Sequence, residues 1–157
     1  MPRISKAEME AKRELINGEI FNLFLEEGFD AINMYNVSMR TGIRQSTLQT
    51  YHKADTLHTA LTGKVAPYFF SKLNMETVED FETSWLKAID DSGFCNILTL
   101  LVGHITTSEK VGVLAYKGLM GLINAVEMSL GEDGRKSLNG LIGRSVIEIA
   151  MKKGTKN

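Results

Sequence analysis

One cysteine, Cys95, cannot form an internal disulfide, so no crosslinked scaffold underlies this chain, and the thiol usage fits a reducing cytoplasm. Only two prolines occur, Pro2 and Pro67, so long stretches are free to be helical. Net charge is −1, which removes the argument from bulk basicity for nucleic acid; only local charge can make it. The N-terminal stretch MPRISKAEMEAKRE has no apolar run of a signal peptide. The longest apolar region, residues 111–130, is interrupted by Lys117, Asn124 and Glu127, and reads as a buried helix and not a membrane span.

The histidines His52, His58 and His104 have no metal-ligand spacing, and no Cys/His cluster accompanies them. Glycines in GHITTSE and GLMGLINA fall inside helical patterns and follow no strand, so they are not phosphate loops. Nucleophile elbows and paired-carboxylate motifs are missing too. Nothing supports catalysis or a cofactor.

What is present is helical periodicity in 157 residues of which 43% are hydrophobic, enough for a sizeable core. Ile16, Ile20, Leu23 and Phe24 mark a helix over 6–27, ended by Gly28. Asn33 suits the N-cap of a short helix over 34–41, and a further helix over 44–51 follows Gly42. Leu57, Leu61, Val65, Phe69 and Leu73 predict one helix over 54–73, bent at Pro67. Helices over 76–90 and 94–105 come next. A long helix capped by Ser108 runs to about 129, LGEDG makes a turn, and a last helix spans about 133–152. No strand pattern competes, so the fold class is all-α.

The stretch NVSMRTGIRQSTLQTYHKADTL, residues 36–57, has the spacing of a helix-turn-helix. Ser38 is small where two helices approach, and Gly42 tolerates positive φ in the turn. Val37, Ile43, Leu48 and Tyr51 supply apolar contacts, which leaves Arg44, Gln45, Ser46, Thr47, Gln49 and Thr50 facing outward. Such side chains can meet base edges or phosphates. Pattern alone leaves a DNA-reading pair and a structural corner both open. Over residues 1–65 eight basic and eight acidic residues balance, but 31–54 holds Arg40, Arg44 and Lys53 and no acid. Arg3 and Lys6 are either a basic arm that approaches a groove or a solvated terminus.

Residues 13–61 resemble the N-terminal domain of the TetR family of bacterial transcriptional regulators. The segments IFNLFLEEGFDAIN, MYNVSMRTG, IRQSTLQTYH and KADTLHTAL carry the likeness, in good register from Ile16 to Leu48. The sequence departs from the family pattern after the Thr47–Leu48 pair, where Gln49 replaces a usual tyrosine. A proline is missing near HKADTL, and Ala54 or Asp55 replaces a lysine that in relatives meets the DNA backbone, with Lys53 next door.

The resemblance implies an N-terminal three-helix DNA-binding domain over 1–53 and a C-terminal helical dimerisation and possible ligand-binding domain over 54–157. The expected protein is a cytoplasmic homodimeric regulator, most often a repressor, on a pseudo-palindromic operator in double-stranded DNA. Arg44, Gln45, Thr47 and Gln49 are the candidates for base or near-base contact, and Ser46 belongs to the same DNA-facing set. Asn33, Thr50, Tyr51, His52 and Lys53 are the candidates for phosphate contact.

The C-terminal helices carry small residues at three-four spacing. Gly118, Leu122 and Ala125 in one, and Gly140, Gly143 and Ile147 in the other, suit either a four-helix dimer interface or tight packing within a subunit. Candidates to line a pocket for a small apolar ligand are Phe69, Trp85, Phe94, Leu98, His104, Tyr116 and Met120; each also reads as plain core. The rival to a DNA-binding regulator is a helical dimeric module that has lost strong DNA binding and acts through a protein partner.

Overall fold

Ser5 starts the first helix by a reciprocal cap. Its hydroxyl accepts from the Glu8 N–H at 3.2 Å, and the Glu8 carboxylate accepts from the Ser5 N–H at 2.7 Å. In this computed structural model, which describes residues 4–103 and 109–156, α1 then runs Lys6–Glu27 and buries Ile16, Ile20, Leu23 and Phe24. The Gly28 N–H closes it by donating to the Phe24 carbonyl at 2.9 Å. All regular structure among the described residues is helical.

After a 3₁₀ turn at Phe29–Ala31, Asn33 caps α2, Met34–Thr41, by accepting from the Asn36 N–H at 2.9 Å. Gly42 takes the left-handed conformation (φ 70°, ψ 7°) that turns the chain into α3, Gln45–Leu48. The Ser38 hydroxyl donates to the Ile43 carbonyl at 2.7 Å, so this small residue bonds the turn as well as making room for it. This helix is shorter than the expected 44–51. Beyond Leu48 the Thr50 and Tyr51 N–H groups reach back only three residues, and Lys53 is extended.

The single helix expected over 54–73 is two pieces. A 3₁₀ segment spans Ala54–Leu61, and α4 spans Val65–Ser71. Gly63, at φ 76°, lies between them. Pro67 does not bend a helix: it sits in the first turn of α4, where its missing N–H has no helical acceptor to lose.

The chain forms two compact units, divided between Val65 and Ala66. In the first, α1 packs on α2 and on the Ala54–Leu61 segment. The second is built on α5, Val78–Ala88, α6, Ser92–Gly103, and α7, Glu109–Gly154. Asp91 caps α6 by accepting from the Phe94 N–H at 2.8 Å; it also accepts from the Tyr68 hydroxyl at 2.7 Å and pairs with Lys72 at 3.3 Å. Burial alone would raise the Asp91 pKa, but these bonds outweigh it and hold the carboxyl below its usual value. Burial and the same carboxylate push Tyr68 up to about 12.

The expected turn at LGEDG is a single-residue break. α7 continues on both sides of Gly131, whose φ of 66° and ψ of −155° are non-helical. That region is essentially restricted to glycine, so Gly131→Ala should destabilise the fold by about 1–3 kcal/mol. Gly134 is buried just beyond it, and a Cβ there would collide with Leu130 Cβ and come within 3.3 Å of Val126 Cγ1. Gly134→Ala should therefore also destabilise, by about 1–3 kcal/mol. Gly18→Ala in α1 meets nothing within 4 Å and should be neutral or stabilising by up to about 1 kcal/mol. Urea denaturation of the three variants checks the order.

Candidate nucleic-acid interface and apolar cleft

Leu48 is 1% exposed and fixes α3 into the core of the first unit, so the opposite side must face outward. Arg44, Gln45, Ser46, Gln49, Thr50 and Lys53 are exposed, and Thr47 is half-buried. Asn33 is exposed at the start of α2, with its side-chain oxygen already used as the cap. The Thr50 hydroxyl donates to the Thr47 carbonyl at 2.7 Å.

Tyr51 and His52 correct the sequence expectation. Both are only 7% exposed, so their rings face inward and not toward a phosphate. His52 Nε2 lies 2.6 Å from Asn17 Oδ1, and Arg13 Nη1 donates to the Tyr51 carbonyl at 3.3 Å. The two residues anchor the segment after α3 to α1. Burial, then the positive charge of Arg13, holds the His52 pKa below its ordinary value.

Local charge is also thinner than the sequence suggests. Arg40 is gripped by both oxygens of Glu26 at 2.8 Å through Nη1 and Nη2, and by Glu19 at 2.8 Å through Nε. The Glu26 and then Glu19 hydrogen bonds raise its pKa above the ordinary value, so it stays charged but neutralised. Arg44 and Lys53 have no ion-pair partner among the described residues. The acids that silence Arg40 lie on α1, far away in sequence, so counting charges along 31–54 missed them. Exposed Tyr35 and Met39, one turn apart on α2, were missed as well. Their four-residue spacing, off the Met34–Val37 face, was the available signal.

In the second unit the expected pocket is filled. Phe69 stacks on Phe94 with ring centres 4.3 Å apart, and Trp85 meets both edge-on at 5.8 and 5.2 Å. The Trp85 N–H donates to Ser145 Oγ at 2.9 Å, and Ser145 donates in turn to the Leu141 carbonyl at 2.7 Å. These aromatics are core. Tyr116 is exposed, Met120 is half-buried, and His104, like Ser108 and Arg3, lies outside the described residues.

A cleft of 260 Å³ opens instead between α6 and the C-terminal part of α7. It is lined by Leu98, Thr99, Val102, Gly103, Ile142, Ser145, Val146, Ile149, Ala150 and Lys153. Leu98 is the one member of the expected pocket set that it shares. The contribution of the last helix was missed because its small residues pointed first to helix pairing.

Of the candidate pairing residues, Gly140 and Gly143 are exposed with nothing within 4 Å of a Cβ, and Ile147 is 62% exposed. Ala125 is half-buried. Leu122 is 2% exposed and belongs to the core of its own unit. A Cβ on Gly118 would stand 2.7 Å from Leu101 Cδ2, so its smallness serves packing within the unit.

The family profile described as the tetracycline repressor LuxT C-terminal domain matches residues 62–149. The chain belongs to the TetR family. It is a TetR-type transcriptional regulator, and the family is regulatory and non-enzymatic. The profile lies over the second unit almost entirely, and the helix-turn-helix motifs of the first unit stand N-terminal to it. No curated protein matches the chain at a significant level. Among the described residues no group of His, Cys, Asp and Glu could hold a metal ion, and no helix is long and apolar enough to cross a membrane. In this TetR-type regulator Cys95 is half-buried, donates to the Ile89 carbonyl at 3.0 Å, and has its pKa raised chiefly by burial.

The position of His52 predicts a pH dependence. Its folded-state pKa is depressed below the ordinary 6.5, so the unfolded chain takes up a proton first as pH falls. The stabilisation is complete above about pH 6.5 and is lost as pH falls through the folded value. His52→Gln can still hydrogen-bond Asn17 but cannot titrate. Urea midpoints measured from pH 7.5 to 5 should fall more steeply for the natural chain than for this variant.

Proposed function

We propose that this TetR-type regulator is a homodimeric DNA-binding repressor, with residues 1–53 as the reading head and residues 54–157 pairing the subunits and housing a ligand. The observation that carries this reading is the exposed polar edge of α3, on a segment whose apolar side is locked into its own unit. Arg44 has the donors for guanine, and Gln45 or Gln49 can pair bidentately with adenine. Ser46 and Thr47 supply short contacts beside them. Lys53, Asn33 and Thr50 hold the DNA backbone, with the Asn33 and Thr50 side chains already partly engaged in their own turns. Two heads set about 34 Å apart would enter successive major grooves of a pseudo-palindromic operator.

Pairing of the subunits is supported by the apolar residues that α7 leaves exposed. Ile147 and Met151 follow Gly140 and Gly143 on the same helix, and Met128 is 89% exposed. An unpartnered apolar stretch of this kind suits a helix-to-helix interface. Ile147→Glu would put a charge into that interface. Light scattering should then report a monomer where the natural chain gives a dimer, with helical content unchanged by circular dichroism.

DNA binding is tested by gel shift on the upstream region of the gene across salt concentrations. Lys53→Ala should weaken binding to all sequences and reduce the salt slope by about 2 per dimer, one phosphate contact being lost in each head, whereas Arg44→Ala should weaken binding by relaxing the preference for guanine at its position. Arg40→Ala should leave the slope unchanged, because Glu19 and Glu26 already neutralise that guanidinium. Unchanged affinity for both Arg44→Ala and Lys53→Ala would refute this DNA face. A folded dimer with no specific shift at low salt would favour the rival, a module acting through a protein partner.

A further inference from the structure

The cleft between α6 and the C-terminal part of α7 is apolar along its walls, through Leu98, Val102, Ile142, Val146 and Ile149. Its polar members are spent or charged. Ser145 Oγ accepts from Trp85 and donates to Leu141, and Thr99 Oγ1 donates to the Cys95 carbonyl at 2.9 Å. Neither hydroxyl has a proton left to offer a ligand. Lys153 is the one charged lining residue. The carboxylates nearest to it in the chain and at the end of α5 are occupied by other cations. Glu148 pairs with Arg144 at 2.9 Å and Asp90 with Lys152 at 3.8 Å, which leaves Lys153 without a carboxylate among the described residues.

We propose that this cleft binds a small amphipathic anion, an unbranched apolar chain with one carboxylate head held by Lys153. The inference rests on the reading of the second unit as a ligand-housing domain and names the ligand class. The 260 Å³ cleft has room for a short unbranched chain. An ammonium–carboxylate bond between its head group and Lys153 is charge-assisted. Apolar burial supplies most of the affinity and Lys153 supplies the choice of head group.

Octanoate is the probe, with octan-1-ol and octylamine as the neutral and cationic counterparts of the same length. Isothermal titration of the full chain should give octanoate at least tenfold tighter than either. Lys153→Gln should weaken octanoate about tenfold and leave octan-1-ol unchanged. Ala150→Phe, which fills the cleft from an exposed position, should weaken both; Ala150→Leu serves if the larger residue prevents folding. The inference is overturned if octylamine or octan-1-ol binds as tightly as octanoate. It is equally overturned if Lys153→Gln leaves octanoate unchanged, if the filling variant binds like the natural chain, or if none of the three ligands binds at millimolar concentration. A specific operator shift retained without octanoate binding sinks the ligand class alone. Octanoate binding retained without a specific shift sinks the DNA reading alone.

Discussion

Leu48, Tyr51 and His52 bury one side of a short segment that could not hold its own shape. α3 has a single turn of α-helix, and isolated helices so short are unstable in water. Its direction is imposed by the seam with α1, where Asn17 meets His52 and Arg13 meets the Tyr51 carbonyl. The outward-facing side chains of α3 inherit their position from that seam. The depressed pKa of His52 follows from the same burial, so the geometry of the polar face and its acid sensitivity have one cause.

Charge in the first unit is divided between architecture and recognition. Arg40 ties α2 to α1 through two carboxylates, and its planar fork suits the bidentate bond to Glu26. A guanidinium so engaged adds little attraction for a phosphate backbone. The cations left without such partners, Arg44 and Lys53, flank the exposed edge of α3.

The second unit shows what dense aromatic packing does to a would-be pocket. Phe69, Trp85 and Phe94 interlock with no space between them, and Ser145 satisfies the indole N–H from α7. Interiors pack to the density of organic crystals, so large rings that fit together leave no room for a guest. Space appears farther along α6, from Leu98 to Gly103, against smaller and branched residues of α7.

Local signals settled most of the secondary structure. Asn33, Gly42 and the α1 periodicity each mark an element boundary or face through bonds within a few residues, and those elements stand where the residues put them. Helical class and the outward set on α3 follow from the same short-range periodicity. The interruption at Gly131 falls within LGEDG, where a turn is expected, but the break at Gly63 and the harmless position of Pro67 were less legible, because an apolar repeat does not distinguish a continuous helix from one interrupted and resumed. Only the tertiary structure decided which polar groups were already spent. Arg40 is neutralised by Glu19 and Glu26 across 21 and 14 residues, His52 meets Asn17 across 35, and Trp85 meets Ser145 across 60. Sequence periodicity states which face a residue occupies; the partner on that face is chosen by packing between distant segments.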